Sequence, residues 1–516
     1  MLKKISSLLV CTWALSAQAQ TTPIGNFKVG MTPDGNLFRA ANGQSLLEYP
    51  QGSGLTPLFE TQLWIYYGQN GLEHGIMPML SSSMDGPTRT FGPQFTPGAY
   101  TTPAAAAKYN RTWTVNQDSV QYHRTQWGLP GYGAPAQIAQ FPGSGNPSNG
   151  EHPALLPFAN QAPDQQYQWQ NGDFPWIQGE KSIFALYSDR GVVKSGGNST
   201  TQVNVSVEVF EHPLAATDPS LQNAVFTTFR VTNVGTTPID SLHIGLLADF
   251  DIGQADNDYV GTDTSGNFIF GMNYMEDEPA NGYGPFPPAM AVLALSHPIQ
   301  STLRYNPGMT SANAQAMPTN FQERVRWMKG RSASNAALPS FYGTGDPLQK
   351  QGALDDTLYV NRLDRGMFLT LPVHNLGAGQ TACYDFAYVA AQGLSRFNSL
   401  QVLRNYCSTI QSVYDAAFIS CGLERVLNQP QAEPIVASLR PNPTTGHLVL
   451  DWNGPTVETA EVRVVDVLGR VVINRSISLA GATRILDDGS LDAGNYWISI
   501  WNGSLLVHRE LISIVP

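Results

Sequence analysis

From Gln202 to Val209 the chain reads Gln-Val-Asn-Val-Ser-Val-Glu-Val, polar and apolar residues in strict alternation. A period of two places every valine on one face of an extended strand, whereas a helix would scatter them all round its axis. Residues 224–234 and 239–247 continue in the same manner, separated by the turn signal Asn233-Val234-Gly235. Residues 61–67 (Thr-Gln-Leu-Trp-Ile-Tyr-Tyr) and 111–115 are rich in β-branched and aromatic side chains and read as strands, with Ser119–Tyr122 following as another. The chain has 48 Gly and 36 Pro but only 13% charged residues, which suits sheets joined by long loops and disfavours helical bundles. Residues 128–179 are such a loop-dominated stretch.

Two helices interrupt this pattern. One spans 321–331 behind Asn320 as its cap. The other spans 398–418, with Leu403, Tyr406, Cys407, Ile410, Val413, Tyr414 and Ala417 on one face, a stripe for packing on a sheet. The expected fold class is all-β: one or two β-sandwich domains with long loops and a few helices, followed by a small C-terminal Ig-like sandwich.

The ends place the chain outside the cell. Lys3 and Lys4, the short apolar run 5–15 and Ala17-Gln18-Ala19 have the order of a signal peptide over residues 1–19. No later segment has an apolar run of membrane length. The formal net charge is −11, and removing the leader takes away two lysines, so a nucleic-acid partner is disfavoured. Export permits a disulfide. Cys407 and Cys421 stand fourteen residues apart. That is ~21 Å along a continuous helix, against the ~7 Å a bridge allows, so if the helix runs through both, any bridge uses Cys383.

Residues 429–434 (Gln-Pro-Gln-Ala-Glu-Pro) form a linker, and 435–516 form the last domain. Its blocks are Pro441-Asn442-Pro443-Thr444-Thr445-Gly446, the turn around Gly469 and Arg470, and Gly494-Asn495-Tyr496. In this order they resemble the type A sorting domain of the type IX secretion system of Bacteroidetes. The resemblance implies passage across the outer membrane by that machinery. It also implies an extracellular or outer-membrane surface location, with release or attachment to lipopolysaccharide. The family commonly ends in a Lys-rich strand, where this chain has Arg509-Glu510-Leu511-Ile512. Upstream, residues 20–190 make a loop-rich β region and 191–428 a β-sandwich region ending in a helix. This middle part resembles uncharacterised large secreted β-rich proteins carrying the same sorting domain, through residues 246–263, Asn171-Gly172-Asp173 and Leu363-Asp364-Arg365-Gly366.

The densest chemistry is Asp249, Asp251, Asp256, Asn257, Asp258 and Asp263. Carboxylates this close repel one another, and calcium, which takes oxygen ligands, would neutralise them. The spacing is not that of an EF-hand. The same residue types also cap turns, so both readings stand. A third is a secreted glycoside hydrolase using a carboxylate pair among Asp249, Asp251, Glu276, Asp277 and Glu278. Trp169, Phe174 and Trp176 could stack sugars or plug a sheet edge. The chain has no His-Glu-x-x-His, no Gly-x-Ser-x-Gly and no phosphate-binding loop motif. The expected function is a non-catalytic structural, adhesive or polymer-binding protein, with calcium as the candidate cofactor and an extracellular polymer as the candidate partner.

Overall fold

The computed structural model describes residues 21–515 other than 34, 41, 78, 81–89, 92–95, 98–107, 150, 161–163, 165, 190–202, 276–281, 307–315, 356–363, 418–435, 467–469, 488–490 and 503–504. The leader, the linker, Cys421, Gly469 and Glu276, Asp277 and Glu278 lie outside the described residues.

The elements that position the site are β1 (Glu60–Gln69), α1 (Gln117–Gln126), β2 (Ile239–Phe250), α2 (Phe321–Met328), β3 (Arg365–Thr370) and α3 (Arg396–Ala417). Two antiparallel sheets form the body. The larger runs, in spatial order, through Trp113–Asn116, Lys181–Ser188, Val203–Phe210, Ala224–Asn233, Thr381–Ala391, Ala289–Ala294, Phe268–Asn273 and Asp258–Asp263. The second runs Ser301–Tyr305, β3, β2, β1 and Asn36–Leu37. Strands from both sides of residue 190 enter both sheets, so the two regions expected upstream of the linker share one sandwich.

Alternation decides which side chains lie between the sheets. Leu63, Ile65 and Tyr67 of β1, Ile244, Leu246 and Ala248 of β2, and Met367 and Leu369 of β3 join Val205, Phe229 and Phe386 of the opposite sheet in the main core. Their sequence neighbours point outward yet are still covered. Trp64, Leu247 and Phe368 lie under Trp327 and Met328 of α2, with the Trp64 and Trp327 rings 5.9 Å apart. The larger sheet is covered on one half by α3, through Leu403, Cys407, Ile410 and Val413 of the stripe read from the sequence and through Leu400 besides. Residues 109–177 cover its other half. Burial on both faces explains why few of these strands present a polar side.

Two elements differ from expectation. Ser119–Tyr122 is helical, because the Asn116 side chain accepts from Ser119 N at 2.9 Å and starts α1, burying Val120 and His123 at three-residue spacing. The helix expected over 321–331 closes at Met328, although Asn320 caps it as expected, accepting from Glu323 N at 3.0 Å. Cys383 is disulfide-bonded, and Cys407 is a buried free thiol on α3.

Candidate metal centre

The outward positions of the second sheet turn from aromatic to acidic at one end. β2 pairs Asp249 with Glu60 of β1 on one side and with Gly366 of β3 on the other. Phe250 pairs with Arg365, so Asp364 arrives beside Asp251. One oxygen from each of Asp249, Asp251 and Asp364 lies within 4.8 Å of the other two. Ligands on opposite sides of a calcium ion sit ~5 Å apart, given calcium–oxygen distances of ~2.3–2.6 Å. Asp249 is buried, and Asp251 and Asp364 are half-buried. Each has an Oδ1 that is buried without a hydrogen-bond partner. Such atoms are rare in folded proteins and point to a missing partner.

Among the described residues, the cation whose charge acts on Asp249 and Asp251 is Arg39, and it is paired already. Arg39 Nη1 donates to Glu60 Oε2 at 2.8 Å, both side chains buried. Burial first, then mutual repulsion, raises the carboxyls above their usual range. Asp251 goes up to about 7 and Asp364 to about 8, and Asp249 also rises, while Glu60 rises through burial alone, against the lowering effect of Arg39. Tyr305 closes the inner side. Its ring lies over Gly366, where any Cβ would collide with it. Its phenol is pushed up by burial and by the same carboxylates.

Of the six residues singled out in the sequence, the fold brings Asp249 and Asp251 together. Asn257 is buried beside the loop, with an Oδ1 that has no partner. Asp258 accepts from Ile252 N at 3.0 Å, a turn-holding role, and Asp256 is exposed. Asp263 stands at the far end of the strand Asp258–Asp263, five residues and ~17 Å away. There it accepts from Arg404 Nε of α3 at 3.0 Å and from Gly266 N at 2.9 Å. Asp364 and Glu60 were not anticipated as ligands, since only strand register places them here. Trp169 and Phe174 pack on the buried cluster beneath residues 109–177.

The C-terminal part folds around its own core of Leu450, Val462, Val464, Ile498, Ile500 and Ile512. The strand Leu448–Asp466 is bent by irregularities near Trp452 and Val457 and pairs with three neighbours. The peptide bonds before Pro441 and Pro443 are cis. Asn442 grips the last strand, donating Nδ2 to Leu511 O at 2.8 Å and accepting from Ser513 N at 3.1 Å. Thr444 is buried, and its N–H donates to Ser513 O at 2.9 Å. The Arg470 Nε donates to Asp466 Oδ2 at 2.7 Å, and the Tyr496 hydroxyl to Asp492 O at 3.1 Å. Gly446 takes a φ of 123°, and Gly494 lies beside the Tyr496 ring. Among the described residues no helix is long and apolar enough to cross a membrane.

No curated protein matches the chain. Among solved structures it is similar to a polysaccharide lyase at 9% identity and a TM-score of 0.22, over 65% of this chain and 35% of that one. It is also similar to a family GH92 inverting mannosidase from Bacteroides thetaiotaomicron at 12% identity and a TM-score of 0.18, over 50% of this chain and 25% of that one. The chain thus spans about a third and a quarter of those proteins, at scores too low to equate the folds. Residues 438–514 match the family of secretion system C-terminal sorting domains. With Asn442 and Thr444 tied to the final strand as described, this segment is the sorting domain of the type IX secretion system, and the chain is a protein exported by that route to the cell surface or beyond.

Proposed function

We propose that the exported sandwich is a calcium-stabilised, non-catalytic scaffold that works in attachment, polymer binding or assembly outside the cell. The observation that carries this is the crowding of Asp249, Asp251 and Asp364, each with a buried oxygen lacking a partner. An all-oxygen, acid-rich set suits a hard cation, and Glu60 stands beside Asp249 across the β1–β2 ladder. Calcium would supply there the positive charge that lets the acids ionise together. A glycosidase pair separates its carboxyls by ~5–5.5 Å when retaining and ~6.5–9.5 Å when inverting, with the sugar between them. Three oxygens within 4.8 Å of one another support a cation over such a pair.

The test is thermal unfolding of the mature protein with chelator and with millimolar calcium. Calcium at a hundred times its Kd would add about 2.7 kcal/mol of stability. A higher melting temperature in calcium that is lost in Asp251→Ala and kept in Glu433→Ala supports the reading. Equal melting temperatures in chelator and calcium sink it.

A further inference from the structure

Between α3 and the loops at residues 263–268 and 295–298 lies a cavity of about 530 Å³. That volume falls in the ~300–1,000 Å³ range of small-molecule sites. Its walls are held in place before any ligand arrives. Asn267, at a φ of 59°, donates from Nδ2 to Ala294 O at 2.6 Å and to His297 O at 3.0 Å. Its Oδ1 accepts from Ile299 N at 2.7 Å, so one side chain staples the first loop to the second. A preformed cavity loses little freedom on binding.

Three side chains on the lining decide what fits. The charge of Arg404 is spent, since Nε donates to Asp263 and Nη1 to Asp346, each at 3.0 Å. The two acids outnumber it, so an anion is repelled, and a cation finds both acids already paired. His297 adds no charge at pH 7. Burial first, then the neighbouring His374, hold its pKa below the usual histidine value. Its Nδ1 is hydrogen-bonded to Ser296 Oγ at 2.8 Å, so Nε2 is the ring nitrogen left to a ligand. Gln411 Nε2 donates to Leu295 O at 3.3 Å and to Asp415 Oδ1 at 2.8 Å, but Gln411 Oε1 is buried without a hydrogen-bond partner.

A bare buried acceptor is costly, and an apolar guest would leave it bare. The occupant therefore brings a donor to Gln411, carries no net charge, and presents an apolar side to Phe268, Leu295 and Pro298. Hydroxyl groups on a carbon ring meet all three conditions, because each both donates and accepts. We propose that this cavity binds a neutral polyol the size of a mono- or disaccharide, one of whose hydroxyls donates to Gln411. The site is separate from the metal centre, whose acids lie on the second sheet.

The experiment is saturation-transfer NMR of the mature protein with D-glucose, D-mannose and myo-inositol as neutral probes and D-glucuronate as the charged one. Transfer to at least one neutral probe is expected, and none to glucuronate. Ser408 is an exposed α3 residue on the lining, so Ser408→Trp should fill the cavity and abolish transfer at an unchanged melting temperature. Gln411→Leu, close in size, should weaken the Kd at least tenfold and keeps the test open if the tryptophan disturbs α3. Asp251→Ala should bind like the parent. The proposal is overturned by silence from all three neutral probes, by equal transfer to glucuronate, or by a Kd that Gln411→Leu leaves unchanged.

Discussion

Asp251 and Asp364 meet because the register that pairs Phe250 with Arg365 runs on by one residue past the end of β2. More than a hundred residues separate them in sequence, yet the same ladder sets Glu60 beside Asp249 on the other side of β2. A cation there would tie three strands together at their ends.

Asp364→Ala should erase the calcium-dependent rise in melting temperature as fully as Asp251→Ala does. Asp263→Asn weakens the contact with Arg404, so it should lower the melting temperature while leaving the calcium increment intact. Differential scanning calorimetry of the three variants, each with calcium and with chelator, checks both statements. An increment that survives Asp364→Ala but vanishes in Asp263→Asn would place the ion elsewhere.

Gly366→Ala should destabilise the sandwich by ~1–3 kcal/mol, because the new methyl group meets the Tyr305 ring on a fully packed face. Shortening Tyr305 makes room for it. In a double-mutant cycle with Tyr305→Ala, the double variant should cost less than the sum of the two single variants. Urea midpoints measure the cycle, and strict additivity would show that the two positions do not touch.

Strand alternation made the sheets legible in the sequence, and the stripe from Leu403 to Val413 foretold the packing of α3. Asp249 and Asp251 were legible as a pair because two residues along a strand return to the same face. Asp364 and Glu60 were not, since register between distant strands leaves no local trace. Asp263 was misplaced for the opposite reason: near in sequence, it is carried away by an extended strand. Ser119–Tyr122 looked like a strand by composition, and the cap at Asn116 made it a helix.

His243 gives the sandwich an acid-sensitive point. Burial first, and then the Lys329 charge, lower its pKa to about 4, with the Tyr66 ring 5.0 Å away. The unfolded chain takes up this proton near ~6.5, before the folded one does. Stability is therefore whole above that pH and falls as pH drops toward 4, where the loss levels off. With its partial exposure discounted, the loss is on the order of 1–2 kcal/mol. His243→Gln removes it, so the difference in urea midpoint between variant and parent should change between pH 7.5 and 4.5. A constant difference across that range would contradict the shift.

Cys407 should resist alkylation in the native protein and react once it unfolds, because its thiol is buried and burial raises its pKa. Peptide mapping without reductant should find Cys383 bridged and never Cys407 joined to Cys421. A Cys407–Cys421 peptide would mean that α3 breaks before its last turns.

The sorting domain closes its first loop onto its last strand, and export should depend on that closure. Asn442 makes two hydrogen bonds to the backbone around Ser513, and Thr444 makes a third. Removing residues 435–516 leaves both sheets of the upstream sandwich whole, since none of their strands comes from this segment. The truncated protein should therefore fold and stop in the periplasm. Asn442→Ala loses these two backbone bonds, worth ~1 kcal/mol each, and a longer one to Glu510, and should lower the surface and medium fraction while leaving total protein unchanged. Cell fractionation with immunoblotting separates the compartments, and limited proteolysis of the retained material reports whether it is folded. Truncated protein reaching the surface at parental levels would show that the route reads a signal outside 435–516. Retained protein that is digested at once would show that the sandwich needs its C-terminal neighbour to fold.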